Sequence, residues 1–181
     1  MPQYIAFLRA INVGGHTVKM ERLRTLFTEL GFANVATFIA SGNVIFESPT
    51  THAPALEQQI ERHLQQALGY EVATFLRSSA ALAAVAAYQP FPATEFDAAN
   101  HALYIAFLHA PPTVAAQHKL MNVRTSTDDF HVHDCEIYWW CRTRLSESSL
   151  SGALLEKTIG MPATMRNITT VRKLAAKYPA P

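Results

Sequence analysis

Charge is scarce in this chain: Asp, Glu, Lys and Arg make up 16% of its 181 residues, against about 25% in an average soluble protein. The two signs nearly cancel, 15 basic residues against 14 acidic for a net charge of +1. No bulk field therefore attracts nucleic acid or a membrane surface, and a charged partner must be met by a local patch. Cysteine is scarcer still. Cys135 and Cys141 are the only two, and their closeness in one strand region excludes a framework of disulfides, which makes the cytoplasm the expected compartment. Long apolar runs are missing as well. The stretch from Tyr4 to Ile11 is broken by Arg9 and falls far short of the roughly 20 residues a bilayer crossing needs, so neither a membrane span nor a secretory leader is expected.

The familiar signatures of cofactor chemistry are also missing. Neither a G-x-x-x-x-G-K-[ST] phosphate loop nor a G-x-G-x-x-G dinucleotide turn occurs, so no cofactor is expected and no nucleotide class is named by motif. His131-x-His133 puts two imidazoles on one strand face, but no C-x-x-C or H-E-x-x-H accompanies them, and no metal is expected. A nucleophile elbow is absent, which argues against a serine hydrolase at Ser41. The aromatic ribonucleoprotein pattern is absent too, so nucleic acid is disfavoured as a partner despite the local basicity of the C-terminal region.

What remains is a core-forming sequence, 49% hydrophobic, long enough for one domain or two small ones. Tyr4 to Ile11 predicts a strand, followed by a Gly-rich turn over Asn12-Val13-Gly14-Gly15-His16. Met20, Leu23, Leu26, Phe27 and Leu30 recur at helical spacing and stop at Gly31. Val35 to Ile39 and Val44 to Phe46 predict a hairpin around Ala40-Ser41-Gly42-Asn43. Pro54 to Leu68 predicts a second helix, Glu71 to Leu76 a fourth strand, and Ser79 to Tyr88 a closing helix.

That order, β-α-β-β-α-β, is the ferredoxin-like pattern, and the rest of the chain repeats it. Tyr104-Ile105-Ala106-Phe107-Leu108-His109-Ala110 matches Tyr4-Ile5-Ala6-Phe7-Leu8-Arg9-Ala10 at all but one position, the mark of an internal duplication. A helix from Thr113 to Met121, strands over Phe130 to His133 and Glu136 to Cys141, a helix from Leu150 to Ile159 and a strand over Met161 to Met165 complete the second set. Ala73-Thr74 and Tyr88 are matched to Ala163-Thr164 and Tyr178 at constant offset. The expected fold is α+β, two tandem ferredoxin-like halves, each with an antiparallel sheet and a closing helix. The first half covers 1–89, a linker 90–100 and the second half 101–181.

In such a unit the exit of strand one and the hairpin between strands two and three share an edge, which brings Asn12 to Lys19 near Ser41 to Asn43. Backbone amides at the start of the following helix favour an anion, and Gly14 and Gly15 let it approach. Arg9, His16 and Lys19 add charge, while Asn12, Ser41 and Asn43 add neutral hydrogen bonds. The plainer reading is a strand-to-helix turn beside a hairpin. In the second half, His109-Ala110-Pro111-Pro112-Thr113 has prolines in place of glycines and loses those donors, so a single site is expected, in the first half.

The residues Tyr4 to His16, with Val18-Lys19-Met20, Ser41-Gly42-Asn43-Val44-Ile45-Phe46, and later Thr164, Arg166-Asn167, Thr170-Val171 and Lys173-Leu174, resemble the DUF1697 family, a bacterial family of unknown function. Ala10, Ala40 and Ile168 depart from the residues usual there. The resemblance implies a two-part α+β fold and supplies no substrate, cofactor or catalytic residue. The expected function is binding of a small phosphate- or carboxylate-bearing ligand or a nucleotide. The alternatives are an enzyme acting on a phosphate-containing substrate and a protein or RNA adaptor using an exposed sheet. A homodimer stays open as an assembly state.

Overall fold

A computed structural model describes residues 1–97 and 99–180. Ala98, in the expected linker, and Pro181 lie outside the described residues. Two compact units emerge, one from residues 1–84 together with the C-terminal residues from Leu174, the other from Val85–Lys173.

In the first unit, β1 (Gln3–Leu8), α1 (Met20–Glu29), β2 (Ala33–Phe38), β3 (Asn43–Glu47), α2 (Ala53–Leu68) and β4 (Thr74–Ser78) follow in order and lead into α3 (Ser79–Ala87). The sheet runs β2-β3-β1-β4, with every pair antiparallel. Alternation along β1 sends Tyr4, Ala6 and Leu8 into a core with Leu23, Leu26 and Phe27 of α1 and Leu56, Ile60 and Leu64 of α2. Those helical residues stand three and four apart, the spacing that makes one apolar stripe. The His52 imidazole caps α2 by accepting from the Ala55 N–H at 3.3 Å, and Pro54 fits the first turn, where an N–H would have no partner.

The second unit repeats the plan. After a 3-10 turn at Ala93–Glu95 come β5 (Ala102–Phe107), α4 (Val114–Asn122), β6 (Asp128–His133), β7 (Glu136–Cys141), a 3-10 turn at Leu145–Glu147, α5 (Gly152–Ile159), β8 (Thr164–Asn167) and α6 (Ile168–Lys177). The sheet order β6-β7-β5-β8 is the first sheet's order again. Trp139 and Trp140 point to opposite faces, as alternation requires, and both are buried. The Trp139 ring joins the helix-side core, and its indole N–H donates to Asp128 at 2.8 Å. Burial is the strongest influence on that carboxylate and opposes ionisation. Donors from Trp139, Thr127, Thr125 and Ser148 together outweigh it and hold the pKa below the usual aspartate value.

The strand register corrects the offset used to align the halves. Ile5 pairs with Arg77 and Ile105 with Arg166, so Thr74 corresponds to Ala163 rather than to Thr164. Both fourth strands also run further than their apolar residues suggest, through Arg77 to Ser78 and through Arg166 to Asn167. The Arg166 guanidinium is buried and donates to Thr164 Oγ1 and the Met165 carbonyl. Burial pushes its pKa down to about 10, so it stays charged at neutral pH.

Candidate functional site

The exit of β1 and the β2–β3 hairpin meet as the topology requires. Leu8 N–H donates to the Gly42 carbonyl at 2.9 Å. A Cβ on Gly42, at φ +73°, would lie 2.7 Å from Ile11 Cγ2, so the hairpin packs directly on the chain entering the Gly-rich loop. On the other side of β1, Arg9 N–H donates to the Ala73 carbonyl at 2.9 Å.

The loop itself is braced from within. The Asn12 side-chain oxygen accepts from Val18 N–H at 2.7 Å and closes the turn. Tyr70 fastens it from outside, its hydroxyl donating to the Ile11 carbonyl at 3.1 Å and its ring stacking on His16 at 3.8 Å. Partial burial raises the pKa of this phenol. The sequence pattern does not single out Tyr70. Only the pairing of β4 against β1 places it there, and its one local signal is its position just after the glycine that ends α2.

The expected site residues divide by role. Asn43 is fully buried and its side-chain amide donates to the Phe38 carbonyl at 3.0 Å and to Ser41 Oγ at 2.8 Å, so that amide holds the hairpin. Asn12 holds the loop. Arg9, Gly14, Gly15, His16, Lys19 and Ser41 are exposed. Gly14 and Gly15 have φ of +68° and +86°, with no atom within 4 Å of an added Cβ, a conformation and an openness that suit glycine. The backbone N–H groups of Gly14, Gly15, Met20, Glu21 and Arg22 have no acceptor among the described residues. Lys19 is the N-cap residue of α1 and gives no side-chain cap.

The second half differs at this point. Thr113 Oγ1 caps α4 by accepting from Ala116 N–H at 3.1 Å, and Pro111 and Pro112 carry no N–H. At the same position of the duplicated fold the protein's own hydroxyl takes one amide of the helix start in one half and none in the other.

His131 and His133 are brought together around Tyr88. The Tyr88 hydroxyl lies 2.7 Å from His131 Nε2, and the His133 ring stacks on the Tyr88 ring at 3.9 Å. Among the described residues no group of three or more His, Cys, Asp or Glu side chains is arranged to hold a metal ion. No helix among them is long and apolar enough to cross a membrane.

Comparison with known proteins adds three findings. No curated protein matches the chain. Among solved structures, a conserved bacterial protein of Streptococcus pneumoniae is similar over 99% of both chains, with a TM-score of 0.76 and 23% identity, a likeness that shows the fold alone. The family model described as "Protein of unknown function (DUF1697)" matches residues 1–138. With most of its length under that model, the chain belongs to the DUF1697 family.

Proposed function

We propose that the protein binds a small anionic ligand, phosphate- or carboxylate-bearing or a nucleotide, on the loop between β1 and α1. One observation carries the reading: five backbone N–H groups are unclaimed, at Gly14 and Gly15 in the loop and at Met20, Glu21 and Arg22 in the first turn of α1. Lys19 beside them is exposed, and its ammonium group has no partner among the described residues. Oriented amides at a helix N-terminus favour an anion, and an ammonium group adds to that preference. Arg9, His16 and Ser41 border the same edge.

Glu21 works against this preference, because its carboxylate stands in the first turn of α1 and already enjoys the positive end of the helix dipole. An incoming anion must compete with it. The reading therefore predicts opposite effects from two neighbours. Inorganic phosphate, ATP and small carboxylates are screened for a rise in melting temperature. An anion present at about 100 times its dissociation constant adds about 2.7 kcal/mol of stability. Lys19→Ala should weaken the effect and Glu21→Gln should strengthen it. A panel with no stabilising anion, or a shift that Lys19→Ala leaves intact, rejects the proposal.

A further inference from the structure

A concavity lies wholly within the second unit. It has a volume of about 220 Å³ and is lined by Tyr88, Phe91, Phe96, Leu103, Ile168 and Arg172, among others. Three of these are aromatic rings, and two of the rings are held from behind. Phe91 packs on the buried Trp140 at 5.1 Å between centroids, and Phe96 packs on it at 6.3 Å. Tyr88 is fixed by His131 and His133. Leu103 and Ile168 are buried and supply aliphatic surface. The walls are thus ordered by packing that does not depend on an occupant.

Among the described residues, Arg172 is the only charged one in the lining. It is exposed, and among the described residues it has no hydrogen-bond, ion-pair or ring partner. An arginine unpaired at the edge of an aromatic pocket offers a planar fork of donors that matches a carboxylate. The volume sets the size of the remainder. A dry cavity of about 150 Å³ accommodates benzene, so a space of this size takes one aromatic ring with a short acidic arm.

We infer that this pocket binds a small aromatic carboxylate, its ring between Tyr88, Phe91 and Phe96 and its carboxylate on Arg172. Phenylacetate is the probe, and phenylacetamide is its neutral counterpart of the same shape. Calorimetric titration of the full chain should show saturable binding of phenylacetate, with phenylacetamide weaker by roughly tenfold or more, as expected for a lost charge-assisted pair. Arg172→Ala, a substitution at an exposed position, should remove that preference and leave the two probes equal. Absence of saturable binding at millimolar phenylacetate overturns the inference. So does equal affinity for the acid and the amide in the unsubstituted protein, or an Arg172→Ala protein that still prefers the acid.

Discussion

His131 titrates within the range where most of the protein's charges are fixed, and its surroundings decide the direction. Burial is the main cause that holds its pKa below the ordinary histidine value, His133 pushes the same way, and Asp129 opposes them. A histidine whose folded pKa is depressed binds its proton more readily when unfolded. Its contribution to stability is therefore intact above the unfolded pKa of about 6.5 and is lost as pH falls through the lower folded value. The hydrogen bond to Tyr88 and the stacked His133 make the site sensitive to that proton. Urea denaturation between about pH 7 and pH 5 should show a steeper loss of stability for the unsubstituted protein than for His131→Gln, whose amide keeps a polar atom near the Tyr88 hydroxyl. Equal slopes in the two proteins would contradict the assignment. Sequence spacing alone had placed the two histidines on one face. It contained no sign of Tyr88, whose approach depends on how α3 ends and the chain turns toward β5.

At the scale of the element, the β2–β3 hairpin separates backbone requirements from packing requirements. Gly42 needs both: its φ is +73°, and an added Cβ meets Ile11 and Leu8 at 2.7 and 3.2 Å. Gly14 needs only the first, since nothing lies within 4 Å. Gly42→Ala should therefore cost about 2–4 kcal/mol by equilibrium denaturation and Gly14→Ala only about 1 kcal/mol. Equal costs would mean that the hairpin does not pack against the loop. The same elements show what the sequence could and could not disclose. The expected ends of Glu136 to Cys141 match β7 because its apolar, aromatic residues favour a strand on their own. The sequence pattern places β4 and β8 too early, because Arg77 and Arg166 look like loop residues until pairing with Ile5 and Ile105 fixes them. β2 was read one residue too far. Ile39 favours a strand by type, yet its φ of +50° turns the chain into the hairpin, a tertiary demand that local propensity does not carry.

Across the whole molecule, the duplication is visible in the repeated Tyr-Ile-Ala-Phe-Leu segment and in two sheets of the same strand order. The fold class followed from that repeat, because two copies of one pattern constrain each other. The candidate site was legible as a place, since topology joins the loop to the hairpin. The roles within it were not. By residue type Asn12 and Asn43 resemble ligand-facing residues, and a sequence does not reveal that their side chains are spent on Val18, Phe38 and Ser41. Duplication also supplies an internal control: the Thr113 hydroxyl takes the Ala116 amide of α4 and prolines precede that helix, whereas α1 has no side-chain cap and glycines precede it. The most direct measurement is an amide-resolved NMR titration of the full chain with inorganic phosphate. The account predicts saturable shifts at Gly14, Gly15, Met20, Glu21 and Arg22, none at Val114 to Gln117, and one phosphate per chain. Shifts of equal size at both helix starts, or none at the first, would contradict it.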